Sequence, residues 1–227
     1  LNSELVLKLS QSAVFRKVRK SDLEALSKLA IKKTYQARQV ICSCNDFFPY
    51  VLVVDQGCAH ASMISDKGQS LIVRSLKSGD TFWGHAVIDG GPTPGTLAAA
   101  VNDTKIYLWH KNHLIPILKQ NPDALWETLE VLMRRMRQAA STIDQLAFND
   151  VLTRLANLIL NEYRHAGGVA KLRRSLTLEQ MAAMVNSNPE VVCRLLYRIS
   201  EEEIIDINRN ELLIRDVKKL QDLAGIP

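Results

Sequence analysis

The sequence predicts an α+β chain in three consecutive parts, and three observations carry that expectation. Between Thr34 and His110 short β-type runs alternate with turn signals; from Leu125 to Leu146 apolar residues recur at spacings of 4 and 3 without interruption; residues 150–227 show helical periodicity and then two short β-type runs. With 227 residues the chain is long enough for one large or two ordinary domains with real cores. The expected layout is an antiparallel β-roll of jelly-roll type with flanking helices over 1–121, a long helix and hinge over 122–149, and a mainly helical domain over 150–227.

Residues 3–31 read as helical, with Ser21-Asp22 opening a segment whose Leu23, Leu26, Leu29 and Ala30 share a face. The β-type runs are Gln39–Cys42, Tyr50–Asp55, His60–Ser65, Ser70–Leu76, Leu97–Val101 and Lys105–Trp109. Turns are signalled at Asn45-Asp46, Gln56-Gly57, Asp66-Lys67-Gly68, Ser78-Gly79-Asp80 and Asn102-Asp103. Gly90-Gly91-Pro92 and Pro94-Gly95 mark a longer connection, because a proline cannot sit in a central strand. Asn112 begins a short helix, and Asn121-Pro122-Asp123 starts a long one.

In that long helix Leu125, Leu129, Leu132, Met136, Ala139, Ile143 and Leu146 form a heptad seam. A helix packed on its own domain core is the competing reading, but it calls for a wider apolar stripe than two positions in seven. The seam therefore predicts a two-stranded coiled coil and a homodimer. Phe148-Asn149-Asp150 breaks it, and Asp150 can cap the next helix, Val151–Arg164, whose Leu152, Leu155, Ala156, Ile159 and Leu160 face a new core.

From Thr177 to Ile199 the pattern is two helices joined by a tight corner. Thr177 and Gln180 make a capping box, and Leu178, Met181, Ala182 and Val185 share one face. The corner is Asn186-Ser187, where asparagine tolerates the left-handed backbone region. Asn188 caps the second helix, and Pro189 stands in its first turn. Val191, Val192, Leu195, Leu196 and Ile199 pack inward, leaving Glu190, Cys193, Arg194 and Tyr197 outside. This is the grammar of a helix-turn-helix, in which an exposed Arg can pair with guanine and an exposed Glu can accept from cytosine in the major groove. An ordinary helical hairpin with a Glu190–Arg194 surface ion pair is the alternative. Ile204–Ile207, Asn208-Arg209-Asn210 and Leu212–Ile214 then read as a β-hairpin, completing a winged helix, and a short polar helix follows around Val217–Ala224.

Composition narrows the class of function. No apolar run approaches a membrane span and no secretory signal is recognisable, so the expected address is cytoplasmic with no membrane partner. The net charge of +5 favours polyanionic partners, yet the whole excess lies in residues 1–149 and residues 150–227 balance. DNA binding must therefore rest on geometry. Cys42, Cys44, Cys58 and Cys193 lack zinc-site spacing, so free thiols are expected and a structural metal is not. No nucleophile–base pairing, metal triad or phosphate loop points to an enzyme.

The order of parts resembles the cyclic-AMP receptor protein and fumarate-nitrate regulator (CRP/FNR) superfamily of bacterial transcription factors over nearly the whole chain. The elements that carry the resemblance are Gly57 after Leu52-Val53-Val54-Asp55-Gln56, the Gly79-Asp80-Thr81-Phe82 turn, the Asp89-Gly90-Gly91-Pro92 loop, Leu146-Ala147-Phe148-Asn149-Asp150-Val151, and Glu190-Val191-Val192-Cys193-Arg194. It implies a cyclic-nucleotide-binding-type roll, a dimerisation helix, and a DNA-contacting set of Thr177, Gln180, Asn188, Glu190, Cys193 and Arg194. It also implies double-stranded DNA with a near-palindromic site, a second copy of the chain, RNA polymerase and a small-molecule effector as partners. A signalling module without promoter binding is the runner-up. Within the recognition helix, Cys193 replaces the family's small residue and Pro189 a frequent arginine.

The effector pocket departs from the family's pattern. Aligned without a gap, the residues that hold ribose and cyclic phosphate in relatives become Trp83, Gly84 and His85, then Thr93 and Pro94, while Met136, Ala139 and Ala140 are the helix positions facing the site. With no cation to meet a buried phosphate, cyclic AMP is not the expected effector. The resemblance also places His85 where a haem-based carbon monoxide sensor of the superfamily has an iron ligand; a hydrogen-bonded histidine within the roll is the competing reading. Cys42 and Cys44 would point the same way from one strand, which admits a thiol switch beside the plainer reading of free thiols.

Overall fold

The structure is a computed structural model that describes residues 3–173, 176–208 and 211–226. Its two compact units are Leu1–Met63 with Val73–Ala139, and Ile64–Ile72 with Ala140–Pro227.

The first unit opens with two helices where the sequence suggested a single helical stretch: α1 (Ser3–Gln11) and α2 (Lys20–Leu29). The break between them buries Val14 and Phe15, which lets Leu5 and Leu9 of α1 and Leu23 and Leu26 of α2 share one core. Helix α2 starts at Lys20, before Ser21-Asp22, and Arg19 at its N-cap makes no side-chain cap. Asp22 instead accepts hydrogen bonds from Asn121 Nδ2 at 2.8 Å and, with less effect, from Arg19 Nε at 2.9 Å, which hold its carboxyl below the usual carboxylate range.

Two four-stranded antiparallel sheets form the roll. One has the order β1 (Ile31–Tyr35), β8 (Thr104–His110), β3 (Tyr50–Gln56), β6 (Thr81–Trp83); the other is β2 (Val40–Cys42), β7 (Thr96–Ala99), β4 (Cys58–Ile64), β5 (Ser70–Lys77). Strand β1 escaped the sequence reading because it has no apolar/polar alternation. It is an edge strand, mostly exposed and carrying Lys32 and Lys33, a common way to blunt a sheet edge.

The central strands β3 and β8 are buried on both faces, as their unbroken apolar runs suggest. The pleat sends Leu52 and Val54, with Ile106 and Leu108, into the roll, while Val51 and Val53, with Tyr107 and Trp109, pack on the helices. Trp109 Nε1 donates to the Leu26 carbonyl at 2.8 Å, joining roll and helix. Strand β6, also unforeseen, pairs Phe82 with Leu52 and Trp83 with Val51.

Helix α3 (Lys111–Lys119) and the 27-residue α4 (Pro122–Phe148) follow. The predicted helix start at Asn112 is in fact capped by His110, whose ring nitrogen accepts from Asn112 N at 3.2 Å. Asp150 caps α5 (Val151–His165), accepting from Thr153 N at 2.8 Å, which holds its carboxyl below the ordinary range.

The second unit continues with β9 (Lys171–Arg173), α6 (Leu178–Met184), α7 (Pro189–Glu201), β10 (Ile205–Ile207), β11 (Glu211–Ile214) and α8 (Val217–Leu223). Its sheet has the order β10-β11-β9. The expected hairpin is β10–β11, while Arg209 and Asn210 of its turn lie outside the described residues. Strand β9 had no sequence signal: at three residues it is too short to show a period, and pairing with β11 alone defines it. Leu155, Ile159, Met181, Val192, Leu196, Ile205 and Leu212 belong to one core. Among the described residues, no helix is long and apolar enough to cross a membrane.

Gly57, at φ +88°, turns β3 into β4, and a Cβ there would lie 2.6 Å from Thr104 Oγ1 and 2.9 Å from Thr104 Cα. Backbone strain and collision coincide, so Gly57→Ala should destabilise the protein by at least about 1–3 kcal/mol. Urea unfolding followed by circular dichroism checks this; an unchanged midpoint would mean that the turn relaxes freely.

A candidate DNA-reading helix and a cavity in the roll

In the helix-turn-helix, local hydrogen bonds set which side chains remain available. Thr177 Oγ1 accepts from Gln180 N at 3.2 Å, and Gln180 Oε1 accepts from Thr177 N at 2.9 Å, so the capping box read from the sequence closes as expected. Asn186 sits at φ +49°, and Ser187 N donates to the Ala182 carbonyl at 2.9 Å, completing the corner. Arg154 Nε ties α5 to that corner by donating to the Val185 carbonyl at 2.9 Å. Asn188 Oδ1 accepts from Val191 N at 2.9 Å, and Pro189 occupies the first turn of α7.

Val192, Leu196 and Ile199 hold α7 in the core. The opposite face presents Glu190, Arg194 and Tyr197 to solvent, with Cys193 half-buried beside them. Thr177, Gln180 and Asn188 have their side-chain oxygens engaged in caps, so their part is to fix the helix ends. Glu190 and Arg194 make no ion pair among the described residues, whereas Arg198 one turn on pairs with Glu202 at 3.0 Å. The helical-hairpin alternative, which required a Glu190–Arg194 pair, therefore loses its feature.

The roll holds a cavity of about 180 Å³ lined by residues of β4, β5, β6, β7 and the loop before β7. Of the residues expected around the effector, His85, Thr93 and Pro94 line this cavity, whereas Trp83, Gly84, Met136, Ala139 and Ala140 do not. Successive residues of β6 face opposite ways: Phe82 enters the roll, and Trp83 packs on the helix side. Gly84 has its backbone against Phe48, where a Cβ would meet the Phe48 carbonyl oxygen at 1.9 Å. Met136 is 65 % exposed on α4, and Ala139 and Ala140 are also exposed.

The expectation that the pocket lacks a cation is corrected by Arg74 on β5, which lines the cavity with its side chain 26 % exposed. Burial pulls the Arg74 pKa down, and Asp80, 3.9 Å away, opposes that shift. No motif marks Arg74; only the strand's inward side selects it.

Haem, which the resemblance would place on His85, does not fit these residues as arranged. The cavity is below the ~300 Å³ lower end for sites of drug-sized ligands, and the His85 imidazole, 48 % exposed, lies 3.9 Å from the Asp89 carboxylate. No group of three His, Cys, Asp or Glu able to hold a metal occurs among the described residues.

Cys42 and Cys44 do not face the same way. Strand β2 ends at Cys42, which is buried, and the Asn45 turn at φ +67° carries Cys44 outward. Burial pushes the Cys42 thiol up to about 11, against a smaller downward pull from the Leu97 backbone and the Thr93 hydroxyl.

A Crp-like helix-turn-helix domain model matches residues 153–223, and a cyclic nucleotide-binding domain model matches residues 32–121. The chain belongs to the CRP/FNR superfamily of transcription regulators. It is 24% identical over 158 residues to the cyclic AMP receptor protein of Thermus thermophilus, covering 69% of this chain and 71% of that one. A CRP-like cAMP-activated global transcriptional regulator of Mycobacterium tuberculosis is 21% identical over 216 residues, covering 93% and 96% of the two chains. In structure it is similar to a CooA variant from Carboxydothermus hydrogenoformans, with TM-score 0.76 at 21% identity over 88% of this chain and 90% of that one. As a CRP/FNR protein it is a DNA-binding transcriptional regulator and not an enzyme.

Since the thiolate is the reactive form and burial disfavours it, an alkylating agent at pH 8 should label Cys44 well before Cys42 in the folded protein. Cys42 labelling should keep rising with pH until the thiol titrates near 11. Peptide mass mapping over a pH series reads this directly. Equal rates at pH 8 would contradict the burial of Cys42.

Proposed function

We propose that this CRP/FNR regulator acts as a homodimer, reads a near-palindromic promoter site with Glu190 and Arg194, and answers to an effector other than cyclic AMP. The observation that carries the reading is the capped α7, which presents Glu190 and Arg194 free of each other on the exposed face of its first turns. Arg194 can give a bidentate pair to guanine, and Glu190 can accept from cytosine N4. Cys193 and Tyr197 flank these two and set the neighbouring contacts. Thr177, Gln180 and Asn188 serve the interface by holding the N-termini of α6 and α7, whose backbone N–H groups suit phosphate contacts.

Support for the dimer comes from α4, where Leu125, Leu129, Leu132, Met136 and Ile143 leave an apolar stripe exposed along the heptad seam. Ala139 and Leu146 complete its register. Two copies joined there carry two α7 helices, which is the arrangement a two-fold DNA site requires. RNA polymerase is the partner that regulation at a promoter brings in. Cyclic AMP is disfavoured by the missing family anchors and by the small cavity.

Arg194→Ala should cost roughly 1–3 kcal/mol in specific binding and relax selectivity at one guanine, measured by competition gel shift on single-base variants of a palindrome. An equal loss across unrelated duplexes would make Arg194 a phosphate contact. Leu132→Asp together with Ile143→Asp should yield monomers that no longer bind the palindrome, because the seam would bury unpaired charges. Sedimentation showing an intact dimer would place the interface elsewhere.

A further inference from the structure

Arg74 is a guanidinium inside the roll with most of its hydrogen-bonding capacity unused. Its partner among the described residues is Asp80, at 3.9 Å, an ion pair beyond hydrogen-bond reach. An arginine does not shed its charge on burial, so five N–H donors are left beside the cavity. Thr93 lines the same cavity, is 3 % exposed, and its buried hydroxyl lies against the Cys42 thiol, with no stronger hydrogen-bond partner among the described residues. Both groups can donate to one negative oxygen pair, and the partial desolvation of Arg74 strengthens such a contact. Phe82, Ala61 and Leu97 supply apolar wall.

Resting on the reading of the roll as the effector domain, we propose that this cavity binds a small monocarboxylate with an apolar body, the carboxylate held by Arg74 and Thr93 and the body against Phe82 and Leu97. The charge is limited to one because Asp80 stands beside Arg74. The cavity of about 180 Å³ lies below the ~300 Å³ lower end for sites of drug-sized ligands, which favours a small molecule over a nucleotide.

The same cation connects the ligand to helix α4. Arg135 of α4 donates from Nη2 to the Thr81 carbonyl at 2.7 Å and to the Thr81 hydroxyl at 2.6 Å. Arg74 repels it and Asp80 attracts it. A carboxylate on Arg74 would screen that repulsion and leave Asp80 to Arg135, strengthening the hold of α4 on β6. Such a ligand favours one placement of α4 over another, which is what an effector must do.

The test uses the full chain with benzoate, phenylacetate and hexanoate as probes, benzamide as the uncharged match of benzoate, and inorganic phosphate and cyclic AMP as other anions. At least one carboxylate should give saturable heat in calorimetry and raise the melting temperature, while benzamide, phosphate and cyclic AMP do neither. Arg74→Gln should weaken that carboxylate by roughly tenfold or more, given the strength of a charged hydrogen bond, and Arg74→Lys should retain part of it. Thr93→Val, close in shape, should lose severalfold and decides the matter if Arg74→Gln does not fold. The proposal is overturned if none of the three carboxylates binds, if benzamide binds equally, if cyclic AMP alone saturates, or if folded Arg74→Gln or Thr93→Val binds as wild type. Gel shift keeps the two readings apart: DNA binding without carboxylate binding sinks the ligand class alone, and carboxylate binding without DNA binding sinks the promoter reading alone.

Discussion

Strands β3 and β8 are buried on both faces, and that double burial organises the first unit. Because side chains alternate across a pleated strand, one run of valines and leucines supplies two cores at once. Leu52 and Val54 with Ile106 and Leu108 line the roll, and Val51 and Val53 with Tyr107 and Trp109 seat α1, α2 and α3. A slip of one residue in either strand would exchange these sets, so the register is strongly specified. The Trp109 hydrogen bond to Leu26 adds a directional tie to otherwise non-directional burial. Strand β6 inherits its orientation from β3, which is why Phe82 faces the cavity while Trp83 faces the helices.

In the second unit, short-range hydrogen bonds at helix ends decide which side chains are left to meet a partner. Thr177, Gln180 and Asn188 close the first turns of α6 and α7 and satisfy N–H groups that have no partner within the helix. The corner at Asn186 then fixes the entry of α7, and Val192, Leu196 and Ile199 fix its rotation. Glu190 and Arg194 are exposed as a consequence. Their exposure thus depends on the caps and core residues around them.

The roll cavity shows how burial converts an ordinary residue into a chemical one. On a solvated strand Arg74 would be a surface charge of little energetic weight. Beside the Thr93 hydroxyl and apolar walls of the cavity, it is a partly desolvated cation whose pKa burial pulls down. Arg135 shares that environment, with its pKa brought down to about 10 chiefly by burial and secondly by Arg74.

What the sequence determined by itself was most of what has a local cause, the starts of α2 and α3 excepted. The turns at Gly57, Asn45, Asp103 and Asn186 have positive φ, and the caps at Thr177, Asn188 and Asp150 close, because each depends on one residue's own conformational preference or reach. Most roll strands were legible from alternation or continuous apolar runs, and the family from motifs strung along both halves. The tertiary structure decided what depends on residues distant in sequence. Strands β1, β6 and β9 exist through pairing with β8, β3 and β11, since each is too short or too polar to carry a period of its own. It also separated Cys42 from Cys44, turned Trp83 away from the cavity and brought Arg74 into it. Those outcomes follow from which face of a strand meets a core, and a single side chain in sequence does not carry that information until its neighbours in space are fixed.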